Sequence, residues 1–205
     1  MNNKGIMIIT VVLISVMALT CVLVIGDSLN PDSTEYYTDR PEFYNLPAVI
    51  YSDSQYTETI REHISYSTFS YKITSNLSAI QSTDVSMPIL IDGYSINSAN
   101  YELAVKACAK ALQNGSIICM LWVDCQEFTS AVQIEAYGQA NGYMMETANI
   151  RWIGMHNGNS SSGCAQYIKV GATPLTEPYM GDMTEAYEWS IRLVNGQPYH
   201  PTLYP

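Results

Sequence analysis

Hydrophobic and polar positions alternate along this chain in three regimes. Ile6 to Ile25 is a run of twenty residues without a charge, broken only by Thr10, Ser15 and Thr20. At about 1.5 Å per helical residue such a run covers roughly the 30 Å of a bilayer core, so a transmembrane helix is predicted over residues 6–26. The next twenty residues, Asp27 to Leu46, show no apolar period and contain Pro31 and Pro41, which predicts an acidic, extended spacer. From Pro47 to Gly196 short apolar runs alternate with helical patterns, and 197–205 is a proline-bearing tail.

Within 47–196, Ala48–Tyr51 reads as a buried strand and Tyr56, Ile60 and Ile64 as one face of a helix. Thr68–Ile73 and Met87–Ile91 are two further strands. The clearest unit comes next. Ser98 stands where a helix cap is expected, and Asn114-Gly115 supplies a stop. Between them Tyr101, Ala104, Val105, Cys108 and Leu112 share one face, while Glu102, Lys106 and Lys110 share another. Ser116–Val123 is then nearly continuous in apolar residues, as a strand buried on both faces requires. Strand, crossover helix and strand together predict a βαβ unit, and hence an α/β fold with a mostly parallel sheet in three layers. Phe128–Tyr137 and Met183–Val194 are predicted helices, and Ile150–Met155 and Cys164–Val170 predicted strands, the last two separated by the Gly/Asn/Ser loop Asn157–Gly163.

The flanking charges give the first run its direction. Lys4 precedes it and Asp27, Asp32, Glu35 and Asp39 follow, which leaves the N-terminus in the cytoplasm and places the domain outside. A cleaved signal peptide, with Val24-x-Gly26 as its site, is one alternative, but such apolar cores usually span about 7–15 residues; lipoprotein processing at Cys21 or pilin-like processing after Lys4-Gly5 is the other. Either way the domain is exported, as a single-pass protein of the cell membrane in the favoured reading. Asn-x-Ser triplets beginning at Asn76, Asn114 and Asn159 are compatible with glycosylation there.

Nine Lys+Arg against 19 Asp+Glu give a net charge of -10; an acidic surface repels phosphate backbones, so no nucleic-acid partner is expected. Sixteen Tyr against three Phe suit a surface whose rings pack while their hydroxyls stay wet. Cys21 lies in the apolar run; Cys108 and Cys119 fall on buried faces, and Cys125 and Cys164 lie near strand ends. A Cys125–Cys164 bridge is possible in an exported protein, although buried thiols suit these positions better. No Cys-x-x-Cys, P-loop, Gly-x-Gly-x-x-Gly or Gly-x-Ser-x-Gly motif occurs, so no cofactor is expected.

Two sets of residues are candidates for chemistry. Asp53, Asp92 and Asp124 each follow a predicted strand, and if those strands are parallel neighbours the three carboxylates share one rim. That rim would suit a hard divalent cation or a general acid/base pair; alternatively each Asp opens a turn or caps the following helix. Cys125 follows a buried strand and precedes a helix, where a nucleophile would sit, with His156 at the end of a later strand as its base. This layout is similar to that of class I glutamine amidotransferase-like domains over about half of the chain. The resemblance implies a Cys–His hydrolase or a non-catalytic relative. That family has glycines two residues either side of its Cys, whereas this chain has Val123 and Glu127, and the Glu two residues beyond the His is absent. A cell-surface binding module is therefore expected first and an exported hydrolase second.

Overall fold

Helices cover both faces of the sheet because its strands are apolar on both. The computed structural model describes residues 34–36, 47–66, 70–81, 87–140, 149–157, 164–171 and 175–196. The predicted transmembrane run, most of the spacer and the tail lie outside them. Among the described residues no helix is long and apolar enough to cross a membrane.

In chain order the elements are β1 (Thr34–Tyr36), β2 (Ala48–Tyr51), α1 (Thr57–Ser65), β3 (Tyr71–Thr74), α2 (Leu77–Gln81), β4 (Pro88–Asp92), α3 (Tyr101–Gln113), β5 (Ile117–Leu121), α4 (Cys125–Tyr137), β6 (Asn149–Asn157), β7 (Cys164–Gly171) and α5 (Met180–Val194). The sheet order is β1-β3-β2-β4-β5-β6-β7. Strands β3, β2, β4 and β5 are parallel, β6 runs against β5, and β7 runs against β6. The domain is thus α/β with a mostly parallel six-stranded sheet. The short β1, inside the segment predicted to be spacer, adds antiparallel at the edge of β3.

The alternation of side chains along each strand sorts the core into two halves. Val49, Tyr51, Ile89, Ile91, Ile118 and Met120 face α2, α3 and α4. Ala48, Ile50, Leu90, Cys119, Leu121 and Trp152 face α1 and α5. Helix α3 packs more deeply than its five-residue face predicts, since Ala107, Ala109 and Ala111 are buried as well. Its start also differs. Ser98 caps nothing; the helix begins at Tyr101, and Asn100 Nδ2 donates instead to the Ser95 carbonyl at 2.8 Å.

The order of connections sets where the winding of the sheet reverses. From β2 the chain crosses to β3 on one side, then returns to β4 on the other, so the winding reverses between β2 and β4. In an open α/β sheet the crevice outside the carboxyl ends at such a reversal is the usual ligand position, because the flanking loops diverge there. Gly93, just past β4, permits the close approach of this edge to β5: a Cβ at that position would lie 2.4 Å from the Leu121 carbonyl oxygen.

Candidate functional site

The carboxyl edge at β2 and β4 is organised around Asp92. Each apolar strand ends in a polar turn, Ser52–Ser54 after β2 and Asp92–Ser95 after β4, and the two turns bond to one another. Asp92 is fully buried. Its Oδ2 accepts from the hydroxyls of Ser52 at 2.9 Å, Ser54 at 2.6 Å and Ser95 at 2.7 Å, and its Oδ1 accepts from the Tyr94 amide at 3.0 Å. The Asp53 amide donates to Ser95 Oγ at 2.7 Å, which closes the network. Charge-assisted bonds of this kind are about twice as strong as neutral ones, so the carboxylate clamps the two turns. It also fills the position an anion would take among those hydroxyls. Those hydroxyls are therefore already engaged by a carboxylate.

Asp53, Asp92 and Asp124 do follow adjacent parallel strands, β2, β4 and β5. Their side chains, however, do not form one set. Asp92 points into the serine hydroxyls, while Asp53 and Asp124 are exposed. Among the described residues no group of three or more His, Cys, Asp or Glu could hold a metal ion.

Cys125 and His156 are also kept apart. Cys125 opens α4 beyond the carboxyl end of β5. Met155 is level with Ile118, so His156 lies level with the start of β5. Because β6 is antiparallel, the end of that strand faces the opposite edge, and the length of β5 separates the two residues by roughly 13 Å. Cys125 is itself buried, and burial pushes its thiol far above the range in which a thiolate forms. Two residues of the β5–α4 turn have positive φ, Trp122 at 71° and Asp124 at 49°, and the turn leaves Asp124 exposed and Cys125 buried. The Cys–His pair implied by the amidotransferase-like layout would need the two residues together, and strand direction places them at opposite edges. Cys164 starts β7, paired with Asn157, at that same far edge, and the four described cysteines are buried and outside any disulfide, with no Cys125–Cys164 bridge.

Around the Asp92 clamp the edge is aromatic. The rings of Tyr56 and Tyr94 meet edge to face with centroids 4.8 Å apart, and Tyr94 lies 6.4 Å from Trp122. Trp122 Nε1 donates to the Tyr179 carbonyl at 3.3 Å, and the Arg151 guanidinium lies 5.4 Å from the centre of the Tyr179 ring. Burial raises the Tyr94 hydroxyl pKa, helped by nearby Tyr56, Asp92 and Glu177. Asp53, Asp124, Glu127 and Glu177 are exposed along this edge, which gives it a negative field.

Sequence reasoning missed two groups here. The serine clamp had a signal in the Ser-x-Ser that follows an apolar strand. The ion pair of Arg151 with Asp182 had none, because its partners are 31 residues apart; Arg151 Nε stands 3.3 Å from Asp182 Oδ2, without the alignment of a hydrogen bond. Burial pushes the Asp182 carboxyl up to about 6, against a partial lowering by Arg151. An acid whose folded pKa is raised contributes stability below its unfolded pKa and loses it as pH rises through the folded value. The window is therefore about pH 4 to 6. Asp182→Asn should flatten the melting temperature across that window, where the parent should lose stability with rising pH. Parallel pH profiles for the two proteins would refute this assignment.

No protein-family model, curated protein or solved structure matches the chain.

Proposed function

We propose that the chain is a single-pass membrane protein whose exported α/β domain is a binding module, with the carboxyl edge of the sheet as its ligand face. Residues 6–26 serve as the anchor and the acidic, proline-bearing segment 27–46 as the spacer. The observation that carries the reading is the composition of that edge. Tyr56 and Tyr94 meet at the reversal of winding, and Tyr179 and the exposed Asp53, Asp124, Glu127 and Glu177 lie along the same carboxyl edge. Such a face suits a cationic or amine-bearing ligand, drawn in by the carboxylates and seated on ring faces.

The test uses membranes carrying the full chain and two fluorescent probes, hexalysine and hexaglutamate, with chain-free membranes as the reference. Hexalysine should bind and hexaglutamate should not. Tyr94→Ala should weaken hexalysine binding about fivefold, the equivalent of ~1 kcal/mol for one cation–π contact. Equal binding of both probes, or a Tyr94→Ala protein that binds as the parent does, would overturn the proposal.

A further inference from the structure

The structure separates the two described Asn-x-Ser triplets, at Asn76 and Asn114, by what surrounds the hydroxyl residue. Asn76, in the turn between β3 and α2, and Ser78, in the first turn of α2, are both exposed. Asn76 Oδ1 accepts from the Ser78 amide at 2.9 Å. That bond holds the carboxamide with its oxygen toward the chain and therefore its Nδ2, the atom that takes a sugar, turned away from it. Asn114 is also exposed, but its partner is not: Ser116 is 0% exposed and its amide donates to the Ala111 carbonyl at 3.0 Å, immediately before β5. A transferase must grip the hydroxyl residue together with the Asn. At Asn76 this needs at most the opening of α2, a five-residue helix whose Leu77 would leave the core. At Asn114 it would need the start of β5 to leave its place between β4 and β6. Local opening of a short peripheral helix costs far less than opening a central strand.

We propose that Asn76 is an N-glycosylation acceptor and that Asn114 in the folded protein is not. The donor is a lipid-linked oligosaccharide. Asn76 Nδ2 forms a bond to C1 of the first sugar, the bond from C1 to the lipid phosphate oxygen breaks, and the lipid phosphate leaves with the electron pair. One Nδ2 proton passes to a base on the transferase. In the cell this rests on the exported location of the domain; the chemistry itself can be tested without it.

The full chain, purified in detergent, is incubated with an oligosaccharyltransferase and its lipid-linked donor, and peptides are mapped by mass spectrometry. The Asn76 peptide should gain one glycan and the Asn114 peptide none. Asn76→Asp should abolish the gain while keeping an oxygen for the Ser78 amide, and Ser78→Ala should abolish it by removing the hydroxyl. A free peptide spanning residues 110–120 should be accepted, since nothing then hides Ser116. An unmodified Asn76, a glycan on Asn114 of the folded chain, or refusal of the free peptide would each overturn the proposal. A chain modified in vitro but bare in cells would leave the acceptor assignment standing and sink the export reading.

Discussion

Leu121→Asp is expected to abolish folding of the domain, whereas Lys110→Asp should leave its melting temperature within a few degrees of the parent. Leu121 is the last residue of β5, 0% exposed, level with Asp92 of β4 on one side and Trp152 of β6 on the other. Its side chain enters the half of the core formed with α1 and α5. Burying an unpaired charge costs several kcal/mol, and losing a buried leucine costs a further ~2–5. Together these reach the roughly 5–15 kcal/mol that hold a domain of ordinary stability. Lys110 is exposed on α3, and the change replaces a favourable charge in the last helical turn with an unfavourable one, each worth ~0.3–1 kcal/mol. Circular dichroism melts of the two variants decide the matter. Similar shifts for both would mean that β5 is not the buried centre of the sheet.

The contrast between those residues was legible in the sequence because both depend on periodicity alone. A continuous apolar run, a helix with one apolar face and a Gly at its end lead to β4, α3 and β5 with few alternatives. Helix α2 was not legible: its five residues make barely more than one turn, too short for a period to emerge. Strand direction was hidden for a different reason. Alternation fixes which face a side chain takes, yet β6 would show the same pattern running either way, and only its pairing with β5 reveals that His156 and Cys125 lie at opposite edges. The shared edge of Asp53, Asp92 and Asp124 could be anticipated from three strands ending in an acid. The inward turn of Asp92 could not, since it depends on hydroxyls from two loops some 40 residues apart.

That clamp yields the second large effect. Asp92→Ala should lower stability by about 3–5 kcal/mol, because four donors lose one shared acceptor and each buried unsatisfied group costs ~1–3 kcal/mol. The sum stays below four full penalties because Ser54 is only half-buried and can turn to water. For a domain of this size the loss is a drop of about 10–15 °C in melting temperature. Asp92→Asn should be milder: its oxygen can still accept from the Tyr94 amide, and the serine hydroxyls can rotate to accept from its NH2. Ser95→Ala combined with Asp92→Ala should cost less than the sum of the two single changes, by the 0.5–3 kcal/mol coupling typical of contacting groups. The same melts distinguish a clamped carboxylate from a metal ligand. Calcium or magnesium should add nothing beyond sodium chloride at matched ionic strength. A divalent excess that disappears in Asp92→Asn would return Asp53, Asp92 and Asp124 to a cation site. An Asp92→Ala protein that melts with the parent would show that the β2 and β4 turns stand without the carboxylate, and that the ligand face has no fixed floor.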